Sequence, residues 1–196
     1  CVDVLDYSTE MICYASGANT AKPHDWVGLT HNNLQVDNAF FWRTDNNEVE
    51  VGLLDWGVLS CQPFSNAIQG CISGASTEVL LEHRDAFLHA FIDSYAEFGG
   101  PVLDFDRMKT CSNLAMLQWA PGIISNVTQV LKFTKAKEWA EIKDWMDPRL
   151  VGRFQVRAHT TQFKQSLQLW RQWGLYDEFR AWKESLGLPL TKRPKS

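Results

Sequence analysis

His31, Asn33, Asp37 and Asn38 crowd eight residues, and Asp55-Trp56-Gly57 begins 17 positions after Asn38. Asp55 offers a carboxylate and Asn38 an amide carbonyl. Converging hard oxygens of this kind suit Mg²⁺, which usually takes one or two carboxylates and completes its octahedron with waters and substrate phosphates. Convergence requires a fold that brings the two positions together. Residues 39–54 predict one: AFFWR reads as a first strand and EVEVGLLDW as a second. The turn between them is Thr44-Asp45-Asn46-Asn47, residues that tolerate turn geometry. A hairpin sets the start of its first strand beside the end of its second, so Asn38 and Asp55 are expected to be neighbours. Val49, Val51 and Leu53 alternate with Glu48, Glu50 and Gly52, which predicts one buried and one wet face.

The layout also matches the phosphoryl-transfer loop H-x-D-x-x-x-x-N, followed by a hairpin and D-x-G. Residues 29–57, LTHNNLQVDNAFFWRTDNNEVEVGLLDWG, resemble the aminoglycoside-phosphotransferase and choline-kinase-like families. Those families write the loop H-G-D-x-x-x-x-N and the second motif I-D-[WF]-[EGQ]. The resemblance rests on LQVDNAFFW and VGLLDWG taken together. It implies the C-terminal lobe of a protein-kinase-like fold, with Asn38 and Asp55 holding Mg²⁺ against ATP phosphates and His31 shaping the loop. It also implies a small-molecule hydroxyl acceptor.

Two residues depart from that pattern. Asn32 stands in place of the family's Gly, and Asn33 in place of its catalytic Asp. An amide cannot act as a general base at neutral pH, and losing base catalysis typically costs about 10²–10⁴ in rate. Asp37 is the alternative base, although a tight loop points its side chain away from Asn33. The small β-rich lobe that supplies a phosphate-covering loop and Lys is also missing: no G-x-G-x-x-G or V-A-I-K precedes His31. The chain is therefore expected to be a piece of a longer protein, starting internally at Cys1. Three functions follow: an impaired phosphotransferase, an active kinase completed by the small lobe, or a pseudoenzyme that binds partners through a Trp-rich helical surface. The plain alternative makes Asp55, Asn33 and Asn38 turn residues and His31 a structural histidine.

The elements that must carry this segment are mostly helical. The expected fold is α+β, predominantly α, in one domain of residues 1–196: a lead-in at 1–28, the motif segment at 29–57 and a helical subdomain at 58–196. The clearest helix is 76–98, capped by Ser76 and stopped by Gly99-Gly100-Pro101. Asp104 caps a second, which Pro121-Gly122 is expected to break or kink. Further helices are predicted at 123–133, 135–146 and 160–187, with their Phe and Trp stripes as core.

Composition fits this class. The chain has 196 residues, 45% hydrophobic and 21% charged, with nine Trp and a net charge of −4. That charge argues against a nucleic-acid or membrane-surface binder. The basic tail Lys192-Arg193-Pro194-Lys195 reads as solvated. Five widely spaced Cys, without a C-x-x-C pair, point to free thiols in a reducing, cytoplasmic compartment. No apolar run is long enough to span a membrane, and no signal peptide is visible.

Overall fold

The structure is a computed structural model that describes residues 2–144 and 146–189. Cys1, Trp145 and the tail 190–196, with its basic cluster, lie outside the described residues. The chain runs α1 (Val2–Asp6), α2 (Ser8–Ala15), β1 (Val27–His31), β2 (Ala39–Arg43), β3 (Val49–Leu53), β4 (Leu59–Pro63), α3 (Phe64–Ile72), α4 (Thr77–Glu97), α5 (Phe105–Phe133), α6 (Ala136–Trp139), α7 (Pro148–Val151), α8 (Phe154–Gln172) and α9 (Leu175–Ser185). Short 3₁₀ turns precede β1, β2 and β4. The class is α+β and mostly helical. No described helix is long and apolar enough to cross a membrane.

The single hairpin expected from sequence is corrected to two antiparallel two-stranded sheets. β2 pairs with β3, Ala39 opposite Leu53 and Arg43 opposite Val49. β1 pairs with β4, Val27 opposite Pro63 and His31 opposite Leu59. The chain after Gly57 is therefore a strand before it turns helical, and His31 ends a strand. Leu59–Pro63 alternates apolar and polar residues over only five positions and ends in proline, a signal too short to mark a strand by itself, and its partner lies about thirty residues upstream.

The β2–β3 hairpin also departs from its predicted burial. Val49 and Val51 are 61% and 55% exposed, and Phe41 is 61% exposed. Regular alternation marks a strand but cannot name what covers it, and no described element covers this face. On the other face, Phe40 lies across from Gly52, and a Cβ at Gly52 would sit 2.2 Å from the Phe40 ring. Glycine is required there because the aromatic ring occupies the side-chain position.

Two compact units divide the chain, Tyr7–Ala115 and Cys1–Asp6 with Met116–Ser196. In the Tyr7–Ala115 unit, Trp26, Phe64, Ile68, Leu88, Ile92, Leu103 and Met108 form the core, with Phe91, Tyr95 and Phe105 packed on it. α4 is the helix predicted: Ser76 Oγ accepts from the Val79 N–H at 3.3 Å, and Gly99 ends it at φ +92°. Its buried line is Leu80, Arg84, Leu88 and Ile92, four residues apart, while Phe87 and Phe98 are exposed. Arg84 reaches Asn113 Oδ1 on α5 at 2.9 Å inside the core. Asp104 caps α5 by accepting from the Arg107 N–H at 2.7 Å. The Arg107 guanidinium holds residues 14–26 to α5. It donates to the Tyr14 carbonyl and to Asn19 Oδ1 and lies 4.0 Å from the Tyr14 ring and 4.9 Å from the Trp26 ring.

α5 continues through Pro121-Gly122 to Phe133, so the predicted break is absent. Proline removes one helical hydrogen bond but leaves the remaining ladder on either side intact. The other unit packs Val130, Leu150 and Val156 with Trp139 and Ile142. The helix predicted at 135–146 is only the four residues of α6. The one predicted at 160–187 is two helices, α8 and α9, separated by Gly174 at φ +58°. Leu169, Leu175 and Phe179 are fully buried there.

Candidate functional site

The two sheets put two loops side by side. Residues 32–38 lead from the end of β1 to the start of β2, and residues 54–58 lead from the end of β3 to the start of β4. Because His31 faces Leu59 in one sheet and Ala39 faces Leu53 in the other, both loops lie where the ends of the sheets meet.

Leu54 joins them. Its N–H donates to the Asn38 carbonyl at 2.8 Å, extending the β2–β3 ladder by one residue. Its carbonyl accepts from His31 Nε2 at 2.6 Å. The His31 ring is 5% exposed and meets Trp56 edge-on, with ring centroids 4.8 Å apart. Its other nitrogen, Nδ1, accepts from the Asn33 N–H at 3.3 Å. A carbonyl on one side and an N–H on the other select the neutral Nε2–H tautomer. His31 is thus a bridge between the two loops.

Asn38 is fixed from within its own loop. Its Nδ2 donates to the Asn33 carbonyl at 2.7 Å, and its backbone N–H donates to the Gln35 carbonyl at 2.9 Å. With the amide nitrogen anchored, the Oδ1 oxygen remains the side chain's acceptor. Asn33 is held as well: its Oδ1 accepts from Gln35 Nε2 at 2.6 Å. Sequence reasoning did not find Gln35. A long amide two residues after Asn33 has no spacing rule to mark it.

Asp55 follows Leu54 with φ 55° and ψ 56°, the left-handed region. Asn and Asp visit that region more readily than other non-glycine residues. Its side chain is exposed, and no hydrogen bond or ion pair holds it among the described residues. The backbone of Asn38 is thus bonded to the residue next to Asp55, which makes the two loops neighbours as the hairpin argument expected.

Asn32 also has a local role. Its Nδ2 donates to Ser60 Oγ on β4, and its Oδ1 accepts from Thr30 Oγ1 at 3.1 Å. It ties the loop to the β1–β4 sheet with a side chain that glycine lacks. Asp37 sits exposed in the 3₁₀ turn Val36–Asn38.

No family model, no curated protein and no solved structure matches this chain. The reading of the site rests on its own geometry.

A carboxylate and an amide oxygen are among the hard donor types that Mg²⁺ takes. No group of three or more His, Cys, Asp or Glu side chains gathers among the described residues.

Proposed function

We propose that residues 31–57 form a phosphotransfer-type site of the aminoglycoside-phosphotransferase and choline-kinase-like kind, with its base position occupied by the amide Asn33. The double clamp on Leu54 carries this reading. His31 takes its carbonyl and Asn38 its N–H, so the catalytic loop and the Asp55 loop are aligned by hydrogen bonds from both sides. Asn38 Oδ1 and the Asp55 carboxylate would hold Mg²⁺, and Mg²⁺ with ATP would supply the phosphoryl group and neutralise its charge. Asn33 presents a carbonyl oxygen, held by Gln35, that can accept a hydrogen bond from an acceptor hydroxyl. It can orient that hydroxyl but not remove its proton.

The exposed apolar hairpin face supports a further element of this reading. Phe41, Val49 and Val51 form a surface of the kind that a β-rich small lobe would cover, and such a lobe would bring the phosphate-binding groups this chain lacks. A pseudoenzyme that uses the same face to hold a protein partner is the second reading, and the same exposure favours it.

The metal claim can be tested on this chain alone. Mn²⁺, a paramagnetic substitute for Mg²⁺, should broaden the backbone amide signals of Asn38, Asp55 and Trp56. Asp55→Asn should abolish that broadening while leaving the rest of the spectrum in place. Broadening that survives Asp55→Asn, or that centres on another segment, refutes the site.

A further inference from the structure

The β2–β3 hairpin leaves a strand edge open. At the two ends of its ladder, the Leu54 N–H donates to the Asn38 carbonyl at 2.8 Å and the Thr44 N–H donates to the Glu48 carbonyl at 2.9 Å. Hydrogen-bonded positions alternate along an antiparallel strand, so Glu48, Glu50, Gly52 and Leu54 aim their backbone groups at β2. Val49, Val51 and Leu53 aim theirs the other way. No other strand pairs with β3 among the described residues. On that side the Leu53 carbonyl accepts a long bond from Trp56 Nε1 at 3.3 Å, which leaves it a second lone pair. The outer edge of β2 is less open, because the Ala39 N–H already donates to the Val36 carbonyl.

An edge of free N–H and carbonyl groups takes one kind of occupant, another extended backbone. A two-stranded ribbon is marginal by itself and gains from further strands. Val49 and Val51, both exposed, are β-branched residues suited to a sheet with neighbours on either side.

The residue order of β3 says which strand fits. Val49-Glu50-Val51-Gly52-Leu53 can run antiparallel to a second copy of itself. Only a few registers then bring outward groups opposite outward groups. Centring on Glu50 sets Glu50 against Glu50, and centring on Val49 sets Glu48 against Glu50. Like charges directly opposite are destabilising. Centring on Gly52 sets Val49 against Asp55, whose left-handed backbone has left the strand. Centring on Val51 avoids all three faults. Val51 then exchanges both backbone bonds with Val51 of the second copy, and Val49 does so with Leu53. On one face apolar side chains meet apolar side chains. On the other, each Glu50 lies opposite Gly52, which brings neither a side chain nor a charge.

We propose that β3 pairs with β3 of a second copy of this chain, antiparallel and centred on Val51, joining the two hairpins into one continuous sheet. The pairing is independent of the Asn38–Asp55 reading, since it needs neither metal nor nucleotide and uses the edge of the hairpin instead of its face.

Sedimentation velocity on the chain, from about 10 μM to about 1 mM, should show a reversible dimer with a Kd of about 1 mM or tighter. Amide exchange at Val49, Val51 and Leu53 should slow as concentration rises, while Glu50 and Gly52, bonded within the hairpin, should not change. In a mixture of labelled and unlabelled protein, a contact between Glu50 Hα of one copy and Gly52 Hα of the other marks the register, because these form the closer, non-hydrogen-bonded pair. Val51→Pro removes the central outward N–H at an edge position that tolerates proline, and should weaken the dimer at least about tenfold. Val51→Lys keeps the backbone intact and should do the same by setting two like charges opposite each other, so the proposal stays testable should the proline variant fail to fold. A chain still monomeric at about 1 mM overturns the proposal, as does a dimer that Val51→Lys leaves intact. A monomer whose β3 edge instead pairs with an added peptide of alternating Val and Lys overturns it in favour of a different partner.

Discussion

His31 Nε2 donates to the Leu54 carbonyl at 2.6 Å, a side-chain hydrogen bond that spans 23 residues and fixes the peptide immediately before Asp55. The ring is buried and both its nitrogens are used. Truncation would remove the buried His31 ring and leave the Leu54 carbonyl and the Asn33 N–H without this partner. His31→Ala should therefore destabilise the protein by about 1–2 kcal/mol, the order expected when hydrogen-bond partners are left unmatched. A lower urea midpoint at unchanged m-value checks this. A change under about 0.5 kcal/mol, the range of ordinary surface substitutions, would show that the bridge is dispensable.

At Asp55 the backbone requirement can be separated from the proposed metal role. At φ 55° a residue with a Cβ is strained, and Asn is among the few side chains that accept the conformation. Asp55→Asn should keep stability within a few tenths of a kcal/mol, whereas Asp55→Ala should cost about 1 kcal/mol. Asp55→Gly should equal or exceed the wild type in urea unfolding, since glycine carries no such penalty. All three should lose Mn²⁺ binding. Equal stability of the Ala and Asn variants would mean that the left-handed conformation imposes nothing.

On the proposed reading, Asn33→Asp should restore a base to the loop. Gln35 Nε2 already donates to Asn33 Oδ1 at 2.6 Å, so the carboxylate would inherit that bond in charge-assisted form. The second negative charge near Asp55 should lower Tm slightly without Mg²⁺, with recovery when Mg²⁺ is added. In a longer chain carrying a phosphate-binding lobe, the same change should raise phosphate transfer by about 10²–10⁴. Adding Asp55→Asn should erase the gain. An Asn33→Asp variant no faster than its parent, although it binds Mg·ATP, would count against Asn33 as the lost base.

Asp147 offers a pH test away from the site. It caps α7 by accepting from the Arg149 N–H, and its carboxylate pairs with the Arg149 guanidinium at 2.7 Å. The side-chain hydrogen bond from Arg149 is the chief cause that lowers its pKa from 3.8 to about 2. A depressed carboxylate pKa adds stability that is fully present above the unfolded value and is lost as pH falls through the folded one. The stability gap between wild type and Asp147→Asn should thus be constant above about pH 5, beyond the unfolded titration, and shrink as pH falls from 4 towards 2. Urea midpoints of both proteins across that range measure it. A gap that widens on acidification would contradict the pairing.

Local signals in this chain were legible. Ser76 and Asp104 cap their helices as their types imply, Gly99 stops α4, and the turn at Thr44–Asn47 joins β2 to β3. These features depend on a few neighbouring residues, so the sequence carries them directly. That the backbone of Asn38 lies beside Leu54 was readable for the same reason, since a hairpin of known register sets its ends together.

Everything that required distant segments was decided by tertiary structure. The pairing of β1 with β4 joins five-residue strands across the whole motif segment, and the alternation of Leu59–Pro63 is too short to name a partner. The clamp on Leu54 uses backbone N–H and carbonyl groups, which every residue except proline possesses and which therefore leave no trace in residue type. Burial followed the same rule. Alternation in β3 marked a strand, yet Val49 and Val51 face solvent because a pattern specifies a face and only a packed partner covers it. The sequence by itself determined the β2–β3 hairpin, the ends of α4, the cap of α5 and the residue types present at 31–57. The tertiary structure alone decided which groups meet, because hydrogen bonds and packing between distant segments depend on geometry that residue types do not encode.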